Sequence, residues 1–191
     1  METVIHMHPV IDMDDERFYT FCQLNRDARL ERSARGDVIV MAPTGGQTSR
    51  RNAEIIMQLG HWTKGNGTGV FFDSSGGFRL PNGAVRSPDA AWVEQSRLDV
   101  LSDEEQRNFL PLCPDFLIEL RSESDHLPTL QEKMLEYIDN GAHLAWLIDP
   151  LERQVHIYRP ELPVEVLENP LRVSGEAALD GFQLDLEEIW Q

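Results

Sequence analysis

The sequence predicts a mixed α/β fold, a β-sheet with helices packed against its faces. Three observations carry this reading. The middle of the chain is a series of short β-type runs broken by Ser74-Ser75-Gly76-Gly77 and by Asn82-Gly83, a strong hairpin signal. FLIEL (116–120) is an apolar run of strand length. LPTLQEKMLEYIDNG (127–141) has apolar residues at helical spacing, with Pro128 in its first turn and Gly141 past its end.

The elements follow in order. DDERFYTFCQL (14–24), with acids in front and Phe18, Phe21, Cys22 and Leu24 behind, suits a short amphipathic helix. ARLERS and DVIVMAP flank Arg35-Gly36 as a hairpin. After the loop PTGG, TSRRNAEIIMQLGHWT (48–63) places apolar residues at 55, 56, 59 and 62, a helix. GVFFDSS, GGFRLPN and GAVRSPDAAWV make a β-meander, and SDEEQRN (102–108) opens like a helix. FLIEL and the 127–141 helix come next, then the strands HLAWLIDP and QVHIYRP joined by a turn at 150–153. The tail GFQLDLEEIW packs back as a strand or short helix. At 191 residues, with no repeat or low-complexity linker, the chain reads as one domain, 1–191, able to bury about 70% of the surface its unfolded form exposes.

Composition narrows the function classes. A net charge of −16 gives no general affinity for nucleic acid or anionic membrane, because both need a positive field. Cys22 and Cys113 form no CxxC pair, which excludes a cysteine zinc site and gives no sign of a disulfide framework. The N-terminus lacks a basic signal-peptide segment, and nowhere do 18 apolar residues run together. The expected location is the cytoplasm, with no membrane partner.

One residue breaks the pattern of the buried strands. Glu119 sits inside FLIEL, where desolvating an unpaired carboxylate costs several kcal/mol. Strand alternation puts it on the same face as Leu117 and Arg121. Asp89 follows Pro88 at the start of AAWV, and Glu54 lies on the first long helix. Carboxylates from two neighbouring strands can converge on a hard divalent cation, which keeps several waters and takes oxygen ligands. Arg121 can hold a phosphate bidentately but cannot act as a base. Lys133 falls at the border of the buried face of its helix, with Tyr137 one turn later on nearly the same line. Each residue also has a plain reading: an ion pair for Glu119 with Arg121, a turn for Asp89, a solvated helix face for Glu54 and Lys133. Periodicity and spacing by themselves favour those plain roles.

The pair Pro88-Asp89, followed by Glu119-Leu120-Arg121 on the second following β segment, resembles the PD-(D/E)xK nuclease superfamily. MAPTGGQTSRRNAEI, FDSSGGFRLPNGAVRSPDAAWV, DFLIELRSESD, LQEKMLEYIDNGAHLAWLIDP and QVHIYRP more closely resemble the Uma-two family of restriction-endonuclease-like proteins, over most of residues 37–160. The resemblance implies a restriction-endonuclease-like core of αβββαβ order, about 45–160, extended by an N-terminal helix and hairpin and a C-terminal strand. It implies Asp89 and Glu119 as ligands of Mg²⁺ (or Mn²⁺), the backbone carbonyl of Leu120 as a third, and Glu54 as a helix acid near the metal. Arg121 stands where the superfamily has lysine, and Lys133 looks like that lysine moved to the adjacent helix. Gln131 and Tyr137 flank it and, with Arg121, would contact substrate. The function implied is metal-dependent phosphodiester hydrolysis, as a DNA endonuclease working as a homodimer. The alternatives are a non-catalytic binding or oligomerisation module of the same fold and a hydrolase of smaller phosphoesters. Arg26, Arg29, Arg32, Arg35, Arg50, Arg51, Arg79 and Arg86 gather in the N-terminal half, which leaves room for a DNA-facing side despite the net charge.

Overall fold

In the computed structural model, which describes residues 3–191, the elements run β1 (Thr3–Ile5), α1 (Asp15–Leu24), β2 (Arg29–Arg32), β3 (Val38–Met41), α2 (Gly46–Asn66), β4 (Gly69–Asp73), β5 (Phe78–Arg79), β6 (Val85–Arg86), β7 (Ala90–Glu94), α3 (Gln95–Asp99), α4 (Asp103–Arg107), β8 (Phe116–Leu120), α5 (Leu127–Asp139), β9 (Leu144–Asp149), β10 (Gln154–Tyr158), β11 (Glu165–Glu168), β12 (Arg172–Ser174) and β13 (Gln183–Asp185). Local chemistry sets the helix ends. The Asp14 carboxylate accepts the Arg17 N–H to cap α1, and Ser102 with Glu105 forms a capping box on α4. Gly67, in the left-handed region, closes α2.

The main sheet has the order β11-β10-β9-β8-β7-β4. Only β8 and β9 run parallel, because α5 carries the chain back across the sheet between them; every other pair is antiparallel. Alternation along its strands splits the core in two. Trp92, Phe116, Ile118, Trp146 and Ile148 face α2 and the C-terminal segment, where Phe182 stacks on Trp146 at 5.9 Å. Ala91, Leu117 and Leu147 face the other way, onto Met134 and Tyr137 of α5. The chain order α2, β4, β7, β8, α5, β9 is αβββαβ.

The structure departs from the single meander read from residues 69–93. β5 and β6 leave the main sheet and join the N-terminal hairpin in a second sheet of order β1-β3-β2-β6-β5. A two-residue strand has no periodicity to read; its sheet is chosen by distant partners, here Arg32 opposite Val85. The tail is a hairpin, β12 with β13. Among the described residues no helix is long and apolar enough to cross a membrane.

The β4–β7 pairing holds the strand that leads out of Asp89, and it tolerates no side chain at Gly69. A Cβ there would lie 2.4 Å from both the Trp92 ring and the Val93 carbonyl oxygen. Gly69→Ala is expected to cost about 1–3 kcal/mol, the usual penalty of overpacking, read as a lower urea midpoint with an unchanged m value.

Candidate active site

The sheet register brings the two strand acids together. β7 and β8 pair antiparallel with Ala90 opposite Ile118, and continuing that register by one residue sets Asp89 opposite Glu119 on the α5 face. Asp89 Oδ2 accepts the Leu120 N–H at 2.9 Å, and Arg29 Nη2 approaches its Oδ1 at 3.5 Å. Within a strand a residue's N–H and C=O point the same way. The Leu120 carbonyl is therefore directed to the Asp89 side, away from β9.

From the opposite side α5 presents two groups to Glu119. Lys133 Nζ lies 2.8 Å from Glu119 Oε1, and the Tyr137 hydroxyl donates to the same oxygen at 2.9 Å. Both contacts fall on Oε1, and Glu119 lines a cavity together with Asp89 and Lys133. Met134 and Tyr137, one and four residues on, anchor this helix face in the core, so the lysine is held inward rather than free to reach water.

A third carboxylate completes the network. Glu31, only 1% exposed, comes from β2 of the second sheet. It accepts Lys133 Nζ at 3.0 Å, Arg86 Nη1 at 3.0 Å and the Ser87 N–H at 2.9 Å. Arg86 continues to Glu136 on α5 at 2.7 Å. Because strand residues two apart share a face, β2 delivers Arg29 to Asp89 and Glu31 to Lys133 together.

The electrostatics follow from burial and charge. Desolvation raises the Asp89 carboxyl, against the pull of Arg29, the Leu120 N–H and Lys133. Desolvation also raises Glu119, to about 7; Lys133 opposes this, and the charges of Asp89 and Glu31 add to it. Burial works against the Lys133 charge, but Glu119 and Glu31 outweigh it and hold the ammonium well above the ordinary lysine range. Glu31 is likewise penalised by burial, yet Lys133, Arg86 and the Ser87 N–H keep it below the usual carboxylate value.

Asp89, Glu119 and Lys133 open onto a cavity of about 430 Å³ at the end of the sheet, walled by the β3–α2 loop, the start of α2, the segment after β8 and the inner face of α5. Four cations, Arg29, Arg51, Arg121 and Lys133, face four carboxylates, Asp89, Glu119, Glu123 and Asp125. The cavity is thus near charge balance in a protein of net charge −16, so an anion entering it escapes much of the global repulsion.

The structure separates the sequence-derived candidates. Asp89, Glu119 and Lys133 line one cavity, whereas Tyr137, expected to contact substrate, is wholly buried behind them and bonds Glu119 instead. Arg121 lines the cavity with its Nη1 held at 2.6 Å by the buried Asp149, its neighbour across the parallel β8–β9 register, rather than by Glu119. Glu54 does not line the cavity: its Oε1 accepts Gln58 Nε2 at 2.9 Å, and Gln58 is tied to the backbone of Asp185 in β13. α2 brings Arg51 to the cavity instead. Gln131, about 200° round α5 from Lys133, is also outside it. The sequence reading missed Glu31 and Asp149, and named Arg29 and Arg86 only among arginines for a DNA-facing side.

Among the described residues, no three His, Cys, Asp or Glu side chains group as a metal cage. The available donors are Asp89, the second oxygen of Glu119 and the Leu120 carbonyl. Two carboxylates and a carbonyl suit Mg²⁺, which retains waters and needs few protein ligands. The Asp89 charge also raises the proton affinity of Glu119, a repulsion that a divalent cation relieves.

A family model described as "Putative restriction endonuclease" matches residues 15–187. A crystal structure from Anabaena variabilis ATCC 29413, described as a putative nuclease belonging to DUF820, superposes with a TM-score of 0.73 at 20% identity, covering 86% of this chain and 90% of that one. At that identity the likeness is one of fold. No curated protein matches the chain.

Proposed function

The chain belongs to the Uma2 family of restriction-endonuclease relatives, and from that premise and the site geometry we propose that it is a divalent-metal-dependent phosphodiester hydrolase, an endonuclease acting on DNA. The observation that carries this is Lys133 Nζ at 2.8 Å from Glu119 Oε1, with Asp89 opposite Glu119 in the sheet register. A lysine held beside one of two carboxylates that face each other across neighbouring strands supports metal-assisted phosphodiester chemistry.

Asp89, Glu119 Oε2 and the Leu120 carbonyl would hold Mg²⁺. The ion supplies Lewis acidity to a phosphoryl oxygen and lowers the pKa of a coordinated water. Glu119 and Glu31 favour the protonated form of Lys133, which argues for a role as a fixed charge rather than as a base. It contributes fixed positive charge beside the reacting phosphate and orients water, stabilisation that is preorganised by its two anchors. Tyr137 and Lys133 fix Glu119 through one oxygen and leave the other to the metal. Arg121, steadied by Asp149, faces phosphate. Cleavage of both strands of a duplex calls for two copies of such a site, hence a homodimer.

Titration calorimetry with Mg²⁺ and Mn²⁺, in the absence and presence of duplex DNA, tests the metal site. The wild type is expected to show saturable heat that Asp89→Ala removes. Equal heats in both proteins would sink the assignment of Asp89. A wild type silent toward both metals with DNA present would instead favour a non-catalytic DNA-binding or oligomerisation module.

A further inference from the structure

The four cations of the cavity are not equally committed. Lys133 has two carboxylate partners, Arg29 reaches Asp89 and the Ser87 carbonyl, and Arg121 uses Nη1 on Asp149. Arg51 has none: it makes no hydrogen bond and no ion pair among the described residues, although it is partly buried and its Nε is wholly so. Its sequence neighbour Arg50 is bound to Glu188 on the outside of the protein. The Nε of Arg121 is likewise buried without a partner.

An unpartnered guanidinium lining a cavity is costly, because a buried donor that forfeits its water gains nothing in exchange. Burial and the adjacent Arg50 charge pull down the proton affinity of Arg51, opposed only by Glu123. Both groups have fork geometry, and a phosphate is the anion whose oxygens match such forks. We propose that Arg51 of α2 and Arg121, the residue after β8, form a phosphate-binding pair, taking a phosphodiester oxyanion in the cavity that Lys133 also lines. That this phosphate neighbours the scissile one rests on the hydrolase reading; the anion binding itself does not. Both arginines line the same cavity, and with Arg121 Nη1 committed to Asp149 its remaining N–H donors and those of Arg51 carry no hydrogen bond among the described residues. The site is built from one residue on a long helix and one fixed by a buried ion pair, so it needs no metal to form.

The test is binding of inorganic phosphate, and of a dinucleotide phosphodiester, to metal-free protein in EDTA, by calorimetry and by the rise in melting temperature. Wild type is expected to bind saturably and more tightly at low salt. Arg51→Gln is expected to weaken binding tenfold or more, while Arg50→Gln leaves it unchanged. Without phosphate, Arg51→Gln is expected to melt no lower than wild type, since it removes an uncompensated charge; a merely structural arginine would lower it. Wild type that ignores phosphate, or Arg51→Gln that binds like wild type, would overturn the pair. Phosphate binding in a protein that shows neither metal heat nor hydrolysis leaves the pair standing and removes the hydrolase. Hydrolysis with no Arg51-dependent binding does the reverse.

Discussion

Lys133→Met is expected to lower the rate of phosphodiester cleavage by about 10²–10³-fold, the loss seen when one preorganised charge or donor is removed from a transition state. KM should change far less than kcat, because the ammonium acts on charge that develops during the reaction. The variant also carries a distinctive pH signature. Glu119 already sits raised from its ordinary 4.5 to about 7. A carboxyl raised on folding contributes stability below its unfolded value, and that contribution is lost as pH climbs through the folded value. Without Lys133 beside it, Glu119 faces Asp89 and Glu31 alone, so the folded value moves higher still. The melting temperature of Lys133→Met should therefore keep falling above about pH 7, where the wild-type contribution is already lost. Parallel melting curves above that pH would mean that the lysine is not what sustains the ionised Glu119. Unchanged cleavage would remove Lys133 from the mechanism.

Glu119 stood out before the structure as a charge in an apolar strand, whereas Lys133, at the border of a buried helix face, became a candidate through the family resemblance. Asp89 was legible from its place ahead of AAWV, and the register then set it opposite Glu119. The other half of the site was not, and the reason is non-local. RLER reads only as one arm of a hairpin, with nothing in it that assigns Arg29 or Glu31 to a site. In the folded protein their shared face turns inward, and Glu31 is among the most buried polar residues. Nothing within four residues announces this; it follows from β6 pairing with β2 and bringing Arg86 and Ser87 alongside. The helix acid misled for a related reason. Glu54 and Arg51 share one helix, and what decides between them is the C-terminal hairpin, which engages Gln58 and draws Glu54 to its own side.

Glu31→Ala is expected to be the most destabilising single change in the site, by about 3–5 kcal/mol, the cost of removing one member of a buried ionic network. Glu31 neutralises two cations at once. Its loss leaves Lys133 and Arg86, which repel each other, sharing a buried space with only Glu119 and Glu136 to balance them, and leaves the Ser87 N–H unbonded. Against a total stability of about 5–15 kcal/mol that is a large fraction, visible as a shifted urea midpoint. A double-mutant cycle separates charge from packing. If Glu31 matters because it balances Arg86, then Glu31→Gln combined with Arg86→Met should cost clearly less than the two single changes added together, with Lys133 still held by Glu119. Additive costs would mean that Glu31 acts on each cation separately. A Glu31→Ala protein as stable as wild type would show that the second sheet does not support the site through this carboxylate, and Lys133 would then owe its position to α5 packing alone.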